Sequence, residues 1–159
     1  MNKRMIFWGV LLALIFTVSQ CTTEWTGVPV VVVTDTDYTS DPASVPYTEI
    51  HDEFAEHYSG ADLSIELRDE MISSMQEQAL ELGENAGTLY FCIKATYTDW
   101  DERPMRIPCY AEKCIYEDNE IWAIAFNRAN SFDEESLEHF DLFFVTLTTR
   151  EIVYQTGCF

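Results

Sequence analysis

Residues Thr88–Thr98, TLYFCIKATYT, decide how the fold is read. Leu89, Phe91, Ile93, Ala95 and Tyr97 alternate with Tyr90, Cys92, Lys94 and Thr96. That period of two predicts a half-buried strand. On this reading the chain changes character at Thr88, with helices before it and a sheet after.

Upstream, two segments carry the helical period. TEIHDEFAEHYSG (48–60) offers Thr48 as N-cap, with Glu49, Asp52 and Glu53 near the positive end of the dipole. Ile50, Phe54 and Tyr58 form one apolar stripe, and Gly60 stands where a helix would close. A longer helix is predicted over 65–82, with Leu67, Met71, Ile72, Met75, Ala79 and Leu82 on one face and Gly83 at the stop.

Downstream, IWAIAF (121–126) is apolar throughout, as a central strand should be. DLFFVTLTTREIVYQTGCF (141–159) reads as a closing hairpin turning around Thr148–Glu151. MRIPCYAEKCIYEDNE (105–120) predicts two short strands about YAEK and a further turn at EDNE. Ser131 and Glu134 have capping-box spacing, which predicts a short helix over 132–140 burying Leu137 and Phe140.

These elements predict an α+β domain: one or two N-terminal helices packed on a four- to five-stranded antiparallel sheet. The order resembles cystatin-like and NTF2-like architecture, in arrangement only. No internal repeat is present. At 159 residues with 14% aromatics, the chain suits one domain with a packed core. Its net charge of −19 repels phosphates, so nucleic acid is excluded as a partner and anionic membrane faces are disfavoured.

The N-terminus predicts an address. Lys3 and Arg4 precede Met5–Val18, which carries no charge. As a helix that run reaches only about 21 Å, against a hydrocarbon core of about 30 Å. A basic start followed by a short apolar run is the pattern of a secretory signal. The tail VSQC (18–21) resembles the lipobox of bacterial lipoproteins: Val18, Ser19 and Cys21 match, and Gln20 departs from the small residue usual there. The resemblance implies a signal peptide at 1–20 and a lipid on Cys21. It also implies a membrane-anchored protein on the extracytoplasmic side, periplasmic or at the cell surface. Residues 21–46, with Gly27, Pro29, Pro42 and Pro46, have tether composition, leaving 47–159 as the domain. Within the tether Val30–Val33 is a β-branched run able to add an edge strand, a position compatible with Pro29.

Five cysteines are present, and acylation of Cys21 leaves an even four for an oxidising compartment. Four cysteines allow three pairings; the favoured one joins Cys109 to Cys114 across four residues and Cys92 of the first main strand to Cys158 of the last. One C-x₄-C and two isolated cysteines do not make a zinc site. His51 and His57 are six apart and point to different sides of a helix, so they read as a solvated face with Glu53 beside His57. Asp99, Asp101 and Glu102 form a weak calcium candidate, as do Asp35, Asp37 and Asp41, whose EF-hand register fails at Ser40 and Pro46. Trp25 and Trp100 fall in loops, where they could serve a binding face, although a lone Trp there more often folds back on the domain edge.

No nucleophile elbow, phosphate loop or H-E-x-x-H occurs, so no catalytic residue and no cofactor are predicted. The expected role is therefore a lipid-anchored binding or assembly domain contacting an unknown protein or small ligand. The alternative is a small hydrolase or ligand-binding cone, with a pocket between helix 65–82 and the sheet lined by Tyr90, Tyr97, Trp122 and Phe126. A calcium-stabilised module is the third. A filled helix–sheet interface favours the first role; a deep cavity holding a desolvated Asp, Glu or His favours the second.

Overall fold

The structure is a computed structural model that describes residues 27–61, 63–102, 104–129 and 137–157. Strand β1 (Val30–Asp37) comes first, followed by a single 3₁₀ turn at Pro42–Ser44. Helices α1 (Thr48–His57), α2 (Ile65–Glu81) and α3 (Ala86–Ala95) come next, then β2 (Arg106–Tyr116), β3 (Asn119–Arg128), β4 (His139–Thr146) and β5 (Ile152–Gly157). The strands form one sheet in the order β1-β2-β3-β4-β5. The α+β class stands, but the sheet is mixed: β1 runs parallel to β2 and the other pairs are antiparallel.

The deciding stretch is a helix, not a strand. Gly83, at φ 82°, ends α2, and the Asn85 side chain then accepts the Thr88 backbone N–H at 2.9 Å, an N-cap that starts α3. Leu89, Cys92 and Ile93 are buried while Phe91 is 48% exposed, whereas alternation would bury Phe91 with Leu89 and Ile93 and expose Cys92. A run this apolar carries periods of two and of 3.6 together. The cap and the two helical faces pressed on the sheet select the second.

The YAEK segment is not a turn. β2 runs unbroken through it, with Tyr110, Ala111, Glu112 and Lys113 paired to Ala125, Ile124, Ala123 and Trp122, and one bulge at Cys109. The expected turn at EDNE is present: Glu117 and Asp118 have φ 49° and 61°, the paired positive values of a tight hairpin. The apolar run 121–126 lies in the central strand, and β4 and β5 form the predicted closing hairpin. Residues 130–136, where most of a helix over 132–140 was expected, lie outside the described residues; from His139 the chain is β4, with Leu137 buried just before it.

The tether expectation is corrected from Val30 onward. β1 is the predicted edge strand, and its start is held by α2: Gln78 Oε1 accepts from Val31 N at 3.0 Å and Gln78 Nε2 donates to Pro29 O at 2.6 Å. Tyr38, Val45 and Tyr47 are core residues. Pairing register divides the sheet into two faces. Tyr110, Glu112, Cys114, Ile121, Ala123, Ala125, Leu142 and Phe144 share one, in a cluster with Phe54 of α1 and Tyr38, Val45 and Tyr47. Ala111, Trp122, Ile124, Phe126, Phe143 and Val145 share the other, packed with Ile72, Met75 and Ala79 of α2 and Leu89, Cys92 and Ile93 of α3. Helices thus bury both faces.

Cys109 and Cys114 both lie in β2, five positions apart. At about 3.3 Å per residue their Cα atoms stand roughly 17 Å apart, far beyond the ~7 Å limit for a disulfide. That pairing is ruled out. Cys92 is on a helix rather than a strand and is a buried free thiol, as are Cys109 and Cys114; its expected partner Cys158 lies outside the described residues.

Candidate functional site

The four residues expected to line a pocket do meet, but around side chains rather than space. Trp122 is 1% exposed and Phe126 is fully enclosed. Tyr97 sits edge-on to Phe126 and to Trp100, with centroids at 5.7 and 5.4 Å, and Tyr90 packs on Trp100 at 5.6 Å. Two guanidinium groups stack into this aromatic cluster. That of Arg68 lies 4.0 Å from the Trp100 centroid and 5.6 Å from that of Tyr97. The Arg106 group lies 5.1, 5.2 and 4.7 Å from Tyr97, Phe126 and Phe143. Asp69 pairs with Arg68 at 2.8 Å, and Asp141 with Arg106 at 3.1 Å and Arg128 at 3.3 Å. Burial pushes the Tyr97 hydroxyl well above its ordinary range, so it stays protonated and donates to Arg106 O at 2.9 Å. Trp100 does fold back on the domain edge, as expected of it.

Several cations are engaged within the molecule. Besides those three arginines, Lys113 pairs with Glu84 and Glu120, while exposed Lys94 lies over Trp100 and exposed Arg150 lies over Phe91.

The opposite face holds the group that sequence reading missed. Glu112 is 1% exposed. Its Oε1 accepts from Thr34 Oγ1 at 2.6 Å, its Oε2 from the Tyr110 hydroxyl at 2.8 Å, and the Tyr38 hydroxyl lies 3.1 Å from both oxygens. One carboxylate thereby ties β1, the segment after it, and β2 together. Burial, reinforced by this carboxylate, pushes the Tyr38 hydroxyl up to about 12 and raises that of Tyr110 further. The signal was in the sequence: Glu112 alternates with Tyr110 and Cys114, which puts all three on one strand face.

Two open concavities are described. Outside α1, a cleft of about 370 Å³ is lined by His51, Asp52, Ala55, Glu56, Ser59 and Glu138. His51 is buried rather than solvated: Nδ1 lies 3.1 Å from Asp52 and Nε2 3.2 Å from His139 O. A recess of about 420 Å³ at the hairpin turns is lined by Asp118, Asn119, Glu120, Thr148, Thr149 and Glu151 among others. Asp99, Asp101 and Glu102 are exposed in a turn, Asp35 and Asp37 belong to β1, and among the described residues no three His, Cys, Asp or Glu side chains group to hold a metal.

Among the described residues, the thiols of Cys92, Cys109 and Cys114 are buried and stay protonated at neutral pH. Burial pushes Cys92 up to about 11 and, with the Glu112 charge beside it, Cys114 up to about 12; Cys109 is raised further by burial alone. Unfolded thiols ionise near pH 9, whereas these retain their protons to pH 11 or beyond, so the unfolded state binds fewer protons in that window. The contribution is complete below about pH 9 and is lost as pH rises. Melting temperatures should fall between about pH 9 and 11; an unchanged value across that range would contradict the burial of these thiols.

Comparison with known proteins adds no name: no protein-family model matches the chain, and neither curated proteins nor solved structures yield a match.

Proposed function

We propose that this chain is an extracytoplasmic domain, anchored by a lipid on Cys21, that acts by binding or assembly rather than by catalysis. One observation carries the reading: the interface between α2, α3 and the sheet is filled, with Trp122 and Phe126 enclosed where a catalytic or ligand-binding cone would be hollow. The internal pairing of Arg68, Arg106, Lys113 and Arg128 adds to it. A net charge of −19 suits a cationic partner, held by contacts that salt weakens.

Two measurements test this. Mass spectrometry of the membrane-extracted protein is expected to find residues 1–20 removed and a diacylglycerol thioether on Cys21, with Cys21→Ala released to the soluble fraction. A mature chain without lipid overturns the anchoring. Crosslinking in native membranes is expected to give a complex that diminishes as salt is raised; a complex indifferent to salt overturns the cationic partner.

A further inference from the structure

The path of the chain into the domain sets how far the domain can stand from its anchor. Gly27 is buried, with φ 77°, and its carbonyl accepts the Tyr58 hydroxyl at 2.6 Å. A Cβ there would lie 2.5 Å from His57 Nε2, so the backbone is seated directly on that ring. Two residues on, Gln78 takes hold of Pro29 O and Val31 N. Side chains from α1 and α2 therefore grip the chain before β1 begins. The free length is not the 25 or so residues that composition suggests. Only six Cα–Cα steps separate Cys21 from Gly27, a covalent reach of at most about 22 Å.

The grip sits at one end of the molecule. β1 starts at Val30 opposite Tyr110 and runs to Asp37 opposite Ile115, toward the Glu117–Asp118 turn. The β4–β5 turn lies at that same far end, because Thr146 pairs with Ile121. From Tyr110, opposite the start of β1, to the end of β2 at Tyr116 is roughly 20 Å of strand.

We propose that the end of the domain at Gly27 and the α1 C-terminus is its membrane-facing pole, held against the lipid surface by this short connection, and that the hairpin turns form the outward pole. The inference rests on acylation of Cys21. The occupant of the inner pole is the lipid–water interface, and the recess at the turns is the surface a partner reaches.

The test uses the full acylated chain in phosphatidylcholine vesicles carrying an acceptor dye on the headgroups. Exposed Ser59, beside the grip, and exposed Thr148, at the outer turn, are each replaced by Cys and labelled with a donor, in a Cys158→Ser background. Buried Cys92, Cys109 and Cys114 escape the label. Energy transfer from position 59 is expected to exceed that from 148 by about twofold or more, and a 25-residue Gly/Ser insertion after Thr23, which leaves the domain intact, is expected to remove most of the difference. Equal transfer from the two positions in protein whose mass includes the lipid overturns this inference alone. A mass without lipid overturns it together with the anchoring.

Discussion

Trp122→Ala is expected to destabilise the domain by about 4 kcal/mol, the largest effect of any single truncation proposed for it. The side chain projects from the central strand β3 into the layer formed by Met75 and Ala79 of α2 and Leu89 and Cys92 of α3, with Val145 beside it in register. Helices on a sheet collapse only partly onto the void an indole leaves. The loss therefore combines transfer free energy with a cavity term. Against a total stability of about 5–15 kcal/mol, the variant would be close to unfolding at moderate temperature. Urea titration is the measurement; with a slope of about 1.5 kcal/mol per molar, the midpoint should fall by about 2–3 M. Trp122→Phe retains a ring and should lose less than half as much. A truncation costing under about 1 kcal/mol would mean that the interface is loose, as the pocket reading requires, and would count against a binding domain with a solid core.

What the sequence made legible follows from the range of the interactions that fix each element. α2, the β4–β5 hairpin, the turn at Glu117–Asp118 and the central position of residues 121–126 rest on local signals: an unbroken helical face with Gly83 behind it, a two-residue turn, an uninterrupted apolar run. Val30–Val33 was legible as an edge strand because Pro29 allows only that position. α3 was misread because an apolar run supports both periods, and the Asn85 cap that distinguishes them lies outside the alternating stretch. Parallel pairing of β1 with β2 brings together residues about 80 positions apart, which no short-range pattern encodes.

The cysteine and Glu112 errors have one origin. Reading YAEK as a turn split β2 and placed Cys109 opposite Cys114, when the two follow one another along a continuous strand. Four residues between two cysteines fit a hairpin loop as well as they fit a continuous strand, and two of the four, Glu112 and Lys113, are charged. In the fold, Lys113 is paired with Glu84 and Glu120, and Glu112 is met by hydroxyls from Thr34 and Tyr38, 78 and 74 residues upstream. A charge whose partners are that remote looks solvent-exposed in the sequence. It is the burial of such a group, not its charge, that marks it as structural.

Glu112→Ala is accordingly expected to cost about 3–4 kcal/mol, lowering the melting temperature by about 10–15 °C. The substitution removes an acceptor for three hydroxyl donors and leaves Tyr38, at 6% exposure, and Tyr110, at 3%, without it. Buried donors stripped of their acceptor forfeit the charge-assisted bond and still bear the desolvation cost. The damage should be directional, because Thr34 and Tyr38 belong to the one strand joined in parallel and to the segment that follows it. Hydrogen exchange in β1 and at residues 38–47 should rise before exchange in β3 and β4 does. Glu112→Gln preserves volume and one carbonyl oxygen, and hydroxyls can turn to accept from its amide, so it should cost less than half as much. Tyr38→Phe combined with Glu112→Ala should fall short of the sum of the two single losses by about 1 kcal/mol or more, the mark of side chains acting through one network. If Glu112→Ala instead costs under about 1 kcal/mol, water has replaced the carboxylate, and Glu112 does not fasten β1 to the sheet.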